Sequence, residues 1–276
     1  MKKKDILISV VLINFNNKLG LEKTLGSIKN QVASCFEIIY VDGGSTDGSL
    51  DVANSYTNFF SVSLIGKDTG IYNAMNLGVK NSNGKYVVFL NSGDCLLGPD
   101  VLEIVSSKIV SVSNETLFFG YAEIISDYSK WLWPSPRKTE NPSSLKSWLT
   151  HHEPNHQSMF FPKKYCLRNP FDEQLVIIAD KKFKRRALEH LDYSFIPSPL
   201  VKFSLGGVSS HINDLNQLKT FLRDYQIYYI SEKMTFSNLL SLIKADLKVT
   251  IKYMLQKALD KDFWKLLGVF KSKNFI

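Results

Sequence analysis

Two aspartates sit where apolar runs stop and the chain must turn. The stretch Gly84 to Asp94 reads GKYVVFLNSGD, so a short apolar run delivers Asn91, Ser92, Gly93 and Asp94 at its carboxyl end. Open α/β sheets bind ligands beyond the carboxyl ends of their strands. A carboxylate held there among oxygen donors suits a hard divalent cation that carries phosphates. The same residues also make an ordinary polar turn ahead of Pro99, and the residue types alone leave both readings open. Asp42 ends a second run, IIYVDGGSTDGS. Its carboxylate can accept hydrogen bonds from a ribose or a base N–H, while Gly43 and Gly44 let a ligand approach the backbone. Turn chemistry of Asp42 and Asp47 accounts for the same pattern. The standard phosphate loops are missing: residues 14–20 lack GxGxxG, and GxxxxGK[ST] occurs nowhere.

The elements that must position these residues follow from periodicity. Ile6 to Ile13 is rich in Val, Ile and Leu on both faces, as expected of a strand covered on both sides, and Phe36 to Val41 is a second apolar run. Phe59 to Ile65 and Lys85 to Leu90 complete a set of four predicted strands. Between them Leu19 to Asn30, Ser49 to Tyr56 (with Asp47 as its N-cap) and Ile71 to Asn81 have helical spacing. Alternation of strand and helix predicts an α/β fold with a mostly parallel, Rossmann-like central sheet flanked by helices. After Asp94 the spacing predicts a helix over Val101 to Val110, a strand over Thr116 to Ile125, and a proline-rich loop from Trp131 to Pro142. A return strand at Ser158 to Phe161, a basic helix at Ala179 to His190 and a strand at Tyr193 to Phe203 follow. From about Ser210 the pattern is helical.

Composition sets the outer bounds. With 276 residues, 44% hydrophobic and 22% charged, the chain can bury a large core. Its net charge of +8 favours anionic partners. Three scattered cysteines suggest neither a disulfide framework nor a zinc knuckle. The basic, apolar N-terminus imitates a secretion signal, but Asp5 interrupts it and it runs on into Asn14 and Asn16, so it reads as a first strand. The cluster HHEPNH at 151–156 lacks the helical HExxH spacing of a zinc site. Trp131, Trp133 and Trp148 fit either a surface that stacks on a sugar ring or the core.

Together the segments SVVLINFN (9–16), IIYVDGGSTDGS (38–49), DTGIYNAMNLGV (68–79) and GKYVVFLNSGD (84–94) resemble the inverting family-two glycosyltransferases of the GT-A fold, of the type that builds bacterial surface polysaccharides. NHQSMFF (155–161) and FDEQLVIIAD (171–180) extend the likeness, which spans residues 5 to 208. It implies transfer of a hexose from a nucleoside diphosphate sugar, of the UDP class, to an acceptor hydroxyl with inversion. The matched positions imply nucleotide and donor contacts at Asn14, Asp42, Asp68, Asn91 and Gly93, and a Mg or Mn ion at Asp94. They also imply a general base at Asp180, with Asp172 and Glu173 as fallbacks, and an acceptor or diphosphate side at His156 and Gln157. Many relatives carry two or three acids in the strand-end motif, so here the metal leans on Asp94, the diphosphate and water. By residue type Asp180 also fits a plain helix N-cap.

The resemblance divides the chain into a catalytic domain, 1–208, and a helical extension, 209–276. In the tail, lysines 244, 248, 252, 257, 261 and 265 alternate with apolar residues. That pattern suits either an anionic membrane surface or a helix packed on the domain with a solvated lysine face. The expected partners are the donor, a saccharide or lipid-linked saccharide acceptor and an anionic membrane surface, with no nucleic acid. A cytoplasmic location follows, on the inner face of the plasma membrane if the tail engages lipid. Two other functions fit an α/β nucleotide site: a noncatalytic nucleotide-sugar-binding protein and a nucleotidyltransferase.

Overall fold

The computed structural model describes residues 5–66, 69–126, 129–205, 212–230 and 236–259. Its first half alternates as the apolar runs predict: β1 (Ile8–Asn14), α1 (Lys18–Lys29), β2 (Phe36–Asp42), α2 (Ser49–Ser55), β3 (Val62–Ile65), α3 (Ile71–Lys80) and β4 (Tyr86–Asn91). Then come β5 (Cys95–Leu96), α4 (Val101–Val110), β6 (Thr116–Ser126), β7 (Ser129–Trp133), α5 (Pro142–Leu149), β8 (Met159–Pro162), α6 (Lys163–Arg168), α7 (Ala179–His190) and β9 (Asp192–Ser204). The chain continues with α8 (Leu215–Ile230) and α9 (Phe236–Leu259).

Among the described residues the sheet order is β3-β2-β1-β4-β8-β6-β9-β5, with β7 beside β6. The four strands β3, β2, β1 and β4 run parallel, β8 joins antiparallel, and β6 pairs parallel with the long β9. The apolar character of β1, interrupted only by Ser9 and the terminal Asn14, has a direct cause. Val11 and Ile13 enter one core, with α3, α7 and α8, while Ile8, Val10 and Leu12 enter the other, with α1, α2 and α4. Both faces are covered, so the one polar side chain inside the strand, Ser9, is hydrogen-bonded, its Oγ donating to Glu37 Oε1 at 2.6 Å. Helix α3 sits close to the sheet because Gly78 permits it: a Cβ there would lie 2.2 Å from Val11 Cγ1.

Register then aligns the functional ends. Asn14 is opposite Asp42 and Ile13 opposite Asn91, so three parallel strands end together. On the far side of the sheet, Phe89 of β4 meets Phe171 edge-on at 5.2 Å, and Phe171 stacks on Phe183 of α7 at 4.2 Å. Such pairs add about 0.5–1.5 kcal/mol each beyond their buried area and fix the height of α7 against β4.

Two expectations need correction. The segment 131–142 is a loop only over 134–141, which holds a 3-10 turn at Pro136–Lys138. Trp131 to Trp133 pair with β6, and Pro142 opens α5, where Asn141 caps the helix by accepting from the Ser144 N–H at 2.9 Å. Proline is favoured in a first helical turn, which needs no N–H, so it marks a start here rather than a break. Nor is Asp47 the N-cap of α2. Gly48 holds that position, and Asp47 instead joins two helices, accepting from Lys18 N at 2.8 Å and Ser49 N at 3.0 Å.

Candidate active site

The end of β2 is closed by hydrogen bonds to one carboxylate. Asp42 accepts from Asn14 Nδ2 (2.8 Å), Tyr40 Oη (2.7 Å) and Ser45 Oγ (2.9 Å), and from the N–H groups of Gly44 (2.9 Å) and Ser45 (2.7 Å). A carboxylate has about four lone-pair sites, so these donors fill it. Burial acts to raise the pKa of Asp42, but the donors, Asn14 first, outweigh it and leave the carboxyl below its ordinary value. A nucleoside reaching Asp42 must therefore displace a protein donor. Asn14 Oδ1 is buried beside it without a partner among the described residues and can accept directly from a base or ribose. Asn16, at φ 48°, folds the β1 end over the turn: its N–H donates to Ser45 Oγ and its Oδ1 accepts from Thr46 N.

From there the network passes to β4. Asn17 Nδ2 donates to the Ser92 carbonyl at 2.7 Å, and Gly93 N donates to Thr24 Oγ1 at 2.9 Å. Gly93 has φ 110°, a conformation side chains resist, and it turns the chain so that Asp94 points back under the strand end. Asp94 is buried and its Oδ2 accepts from Gln157 Nε2 at 3.0 Å and Asn91 N at 3.2 Å. Burial pushes its carboxyl up to about 7, against the opposing pull of those two bonds.

The residues fit a divalent cation. Asp94 has no cationic partner, and the amide oxygen Asn91 Oδ1 is buried without a hydrogen bond among the described residues. No group of three or more His, Cys, Asp or Glu able to hold a metal occurs among them, so a cation here would depend on phosphate and water for its other ligands.

The third carboxylate is treated differently again. Asp180 is the second residue of α7, and the cap position belongs to Ile178, so Asp180 is not an N-cap. Its Oδ2 lies 3.1 Å from Lys184 Nζ and 3.3 Å from His156 Nδ1, and Tyr72 Oη lies 3.4 Å from Oδ1. Burial works against the ionised form, but Lys184 and then His156 overcome it and hold the carboxyl far below the usual range. Burial likewise lowers His156, whose Nε2 has no partner among the described residues.

A single 3-10 turn, His156–Ser158, thus touches two carboxylates: Gln157 reaches Asp94 while His156 reaches Asp180. That turn ties Asp94 to Asp180, and the Asp42 turn meets the β4 end through the Asn17–Ser92 hydrogen bond. Asp68 lies outside the described residues.

Three contributors escape the sequence reading. Lys184 stands four residues after Asp180, the spacing at which helical ion pairs form, and that signal was available. Tyr72 looks like one apolar position of α3, yet its hydroxyl donates to the Ile177 carbonyl at 2.6 Å, just before Asp180. Asp224 of α8 is fully buried and accepts from the N–H groups of Val176 (2.9 Å), Ile177 (2.6 Å) and Ile178 (3.3 Å). Nothing local marks it. The fallback acids are structural: Asp172 pairs with Lys182 at 2.8 Å, and Glu173 binds Asn73 and Asn76 of α3. Trp133 and Trp148 meet edge-on at 5.2 Å; Trp148 belongs to the hydrophobic core and Trp133, half-buried, packs against it.

A family model described as glycosyl transferase family 2 matches residues 9–166, more than half of the chain. The chain belongs to that family. Among curated relatives, the PGL/p-HBAD biosynthesis glycosyltransferase of Mycobacterium tuberculosis is 28% identical over 220 residues, covering 77% of this chain and 83% of the relative. Two solved structures share the fold. S. aureus TarS in complex with UDP-GlcNAc superposes with a TM-score of 0.66 at 15% identity, over 92% of this chain and 76% of TarS. The mannosyltransferase PcManGT of Pyrobaculum calidifontis, in complex with GDP-Man and Mn2+, gives 0.59 at 14% identity, over 98% and 80%. This glycosyltransferase therefore has the GT-A fold, with Asn14, Asp42 and Asp94 inside the matched region and Asp180 beyond it.

Proposed function

We propose that the enzyme transfers a hexose from a UDP-sugar to an acceptor hydroxyl with inversion at the anomeric carbon, in assembly of a bacterial surface polysaccharide such as capsule, exopolysaccharide or O-antigen. The observation that carries this reading is the His156–Ser158 turn, which ties a cation-suited carboxylate to an ionised one. An inverting displacement needs both: one place where negative charge on the departing diphosphate is offset, and another where the attacking hydroxyl loses its proton. The nucleotide sugars bound by TarS and PcManGT support a nucleoside diphosphate donor.

In this reading residues 1–208 form the catalytic domain and 209–276 an extension. Asn14, Asp42, Asp68, Asn91 and Gly93 hold nucleoside and donor, and Asp94 holds Mg or Mn. When bound, that ion supplies positive charge to the diphosphate oxygens. His156 and Gln157 line the side facing the diphosphate and the acceptor. Asp180 accepts the acceptor proton as the new bond to the anomeric carbon forms and the bond to the diphosphate oxygen breaks. A carboxylate held so far down is a weak base toward a free alcohol. It suffices once the attacking oxygen has begun to bond to carbon and its proton has become acidic.

Asp180→Asn is the test. It should lower kcat by at least about 100-fold, the usual contribution of a general base, while leaving the Kd for the UDP-sugar near that of the parent. Retained turnover would remove Asp180 from the chemistry. The anomeric configuration of the product, read by NMR, checks inversion separately.

A further inference from the structure

A helix that only supports a domain turns its apolar stripe inward and its charges outward. Along most of α9 the arrangement is reversed. Val249 and Gln256 are buried against the body of the enzyme, whereas Leu240, Ile243, Leu247, Ile251, Met254 and Leu255 each expose between 41% and 61% of their surface. Steps of three, four, four and three residues from 240 to 254 gather these side chains into one stripe, on the opposite side of the helix from Val249 and Gln256.

The charges border that stripe. Lys244 and Lys248 stand exposed along one edge, with Lys252 half-buried behind them, Lys257 stands exposed at the other edge, and Asp246 is the one acid within Phe236–Leu259. No helix among the described residues is long and apolar enough to cross a membrane. An exposed apolar stripe with a basic border matches a helix lying in the plane of a lipid headgroup layer.

We propose that α9 docks the enzyme on an anionic bilayer, with the 240–254 stripe at the acyl boundary and the bordering lysines at lipid phosphates. The lysine border is what selects this occupant, because a second protein copy carrying the same border would bring like charges together. Residues 260–276 lie outside the described residues. Their sequence continues the same mixture, with Trp264 between Lys261 and Lys265.

The docked helix is also joined to the site. Val249 of α9 shares a core with Leu218 and Phe221 of α8, and α8 supplies Asp224 to the backbone just before Asp180. Lys181, next to Asp180, lies 5.3 Å from the centre of the Tyr225 ring of α8. Docking would hold the site at the surface where a lipid-linked acceptor resides. That consequence rests on the proposed function, whereas the docking itself does not.

Flotation of the full chain with phosphatidylcholine vesicles, with and without phosphatidylglycerol, tests the proposal. Binding is expected to the anionic vesicles, with a loss of at least about tenfold on neutral vesicles or in high salt. Leu247→Glu with Ile251→Glu should abolish it, and Lys244→Gln with Lys248→Gln, which leaves the helix stripe intact, should weaken it severalfold. Circular dichroism melts establish that each variant is folded. Failure of the parent chain to float on anionic vesicles, or equal flotation of parent and both variants, overturns the proposal. So does a parent dimer, seen by light scattering, that the leucine and isoleucine changes dissociate, since the occupant is then a second copy. Each result is independent of turnover, so a failure here leaves the glycosyl-transfer reading standing.

Discussion

The β2 end buries one carboxylate and the α7 start half-buries another, and they stabilise them by opposite means. Around Asp42 every donor is neutral, and all come from residues 14, 40, 44 and 45. Around Asp180 the close partners are a lysine, a histidine and a tyrosine, drawn from two distant segments and from α7 itself. Neutral donors in a tight turn make a holder whose shape does not depend on a second titrating group. A charged partner makes a carboxylate whose proton affinity can be set by moving or removing that partner. The first suits binding and the second suits proton transfer. Asp94 has two hydrogen bonds and no cationic partner among the described residues, so it is the carboxylate with an unfilled requirement.

Replacing Asp94 offers the largest effect and the sharpest break with Asp42. Asp94→Asn removes the charge suited to a cation, so transfer should fall by at least about 100-fold. Stability should move the other way. A buried carboxyl raised to about 7 favours folding most below the ordinary carboxylate range, and that contribution is lost as pH rises toward 7. The amide does not titrate, so at pH 8 without metal the variant should melt no lower than the parent, and its melting temperature should vary less between pH 5 and 8. A variant that is both active and less stable would show that Asp94 is a structural turn residue.

How far each region was legible follows from the same contrast. The β2 side is local: the apolar run, Asp42 and its glycines are contiguous, so strand, turn and candidate residue could be read together. Even there the donors from Tyr40 and Asn14 were not foreseen, because alternating strand positions look like core or edge until the register is known. The parallel half of the fold was legible for the same reason, since β1 to β4 are apolar runs closed by polar turns. The α7 side is assembled from Tyr72, His156, Asp180, Lys184 and Asp224, which only tertiary packing brings together. A motif could mark Asp180, but no pattern along the chain says that α8 supplies the acceptor for three N–H groups before it.

Asp42→Asn tests whether the β2 turn is as preorganised as its donors indicate. The amide nitrogen would face donors already aimed at Asp42, from Asn14, Tyr40 and Ser45, and leave at least one of them buried and unpaired. A loss of about 2–4 kcal/mol in unfolding free energy is expected by urea titration, from the unmet donor and the lost charge-assisted bonds. An unchanged midpoint would mean that the turn is held by its backbone and that Asp42 is free to serve the ligand.

The smallest effect should come from Lys184→Met, which keeps the length of the side chain and removes its charge. With Lys184 present, Asp180 is ionised throughout the working pH range, so kcat/KM should show no acid limb from this group near neutrality. Its lowered pKa also contributes stability above the ordinary carboxylate range, and that contribution is lost as pH falls toward the depressed folded value. Without the lysine, burial regains influence and the carboxyl rises. The acid limb of kcat/KM should then move to higher pH, and the parent's stability advantage over the variant should shrink as pH is lowered through the carboxylate range. At pH 8, well above the ordinary carboxylate range, rates should differ only severalfold. If Asp180 takes the acceptor proton, raising its pKa strengthens it as a base, which offsets part of the lost positioning by Lys184. A variant as inactive at pH 8 as Asp180→Asn would instead place Lys184 on the substrate.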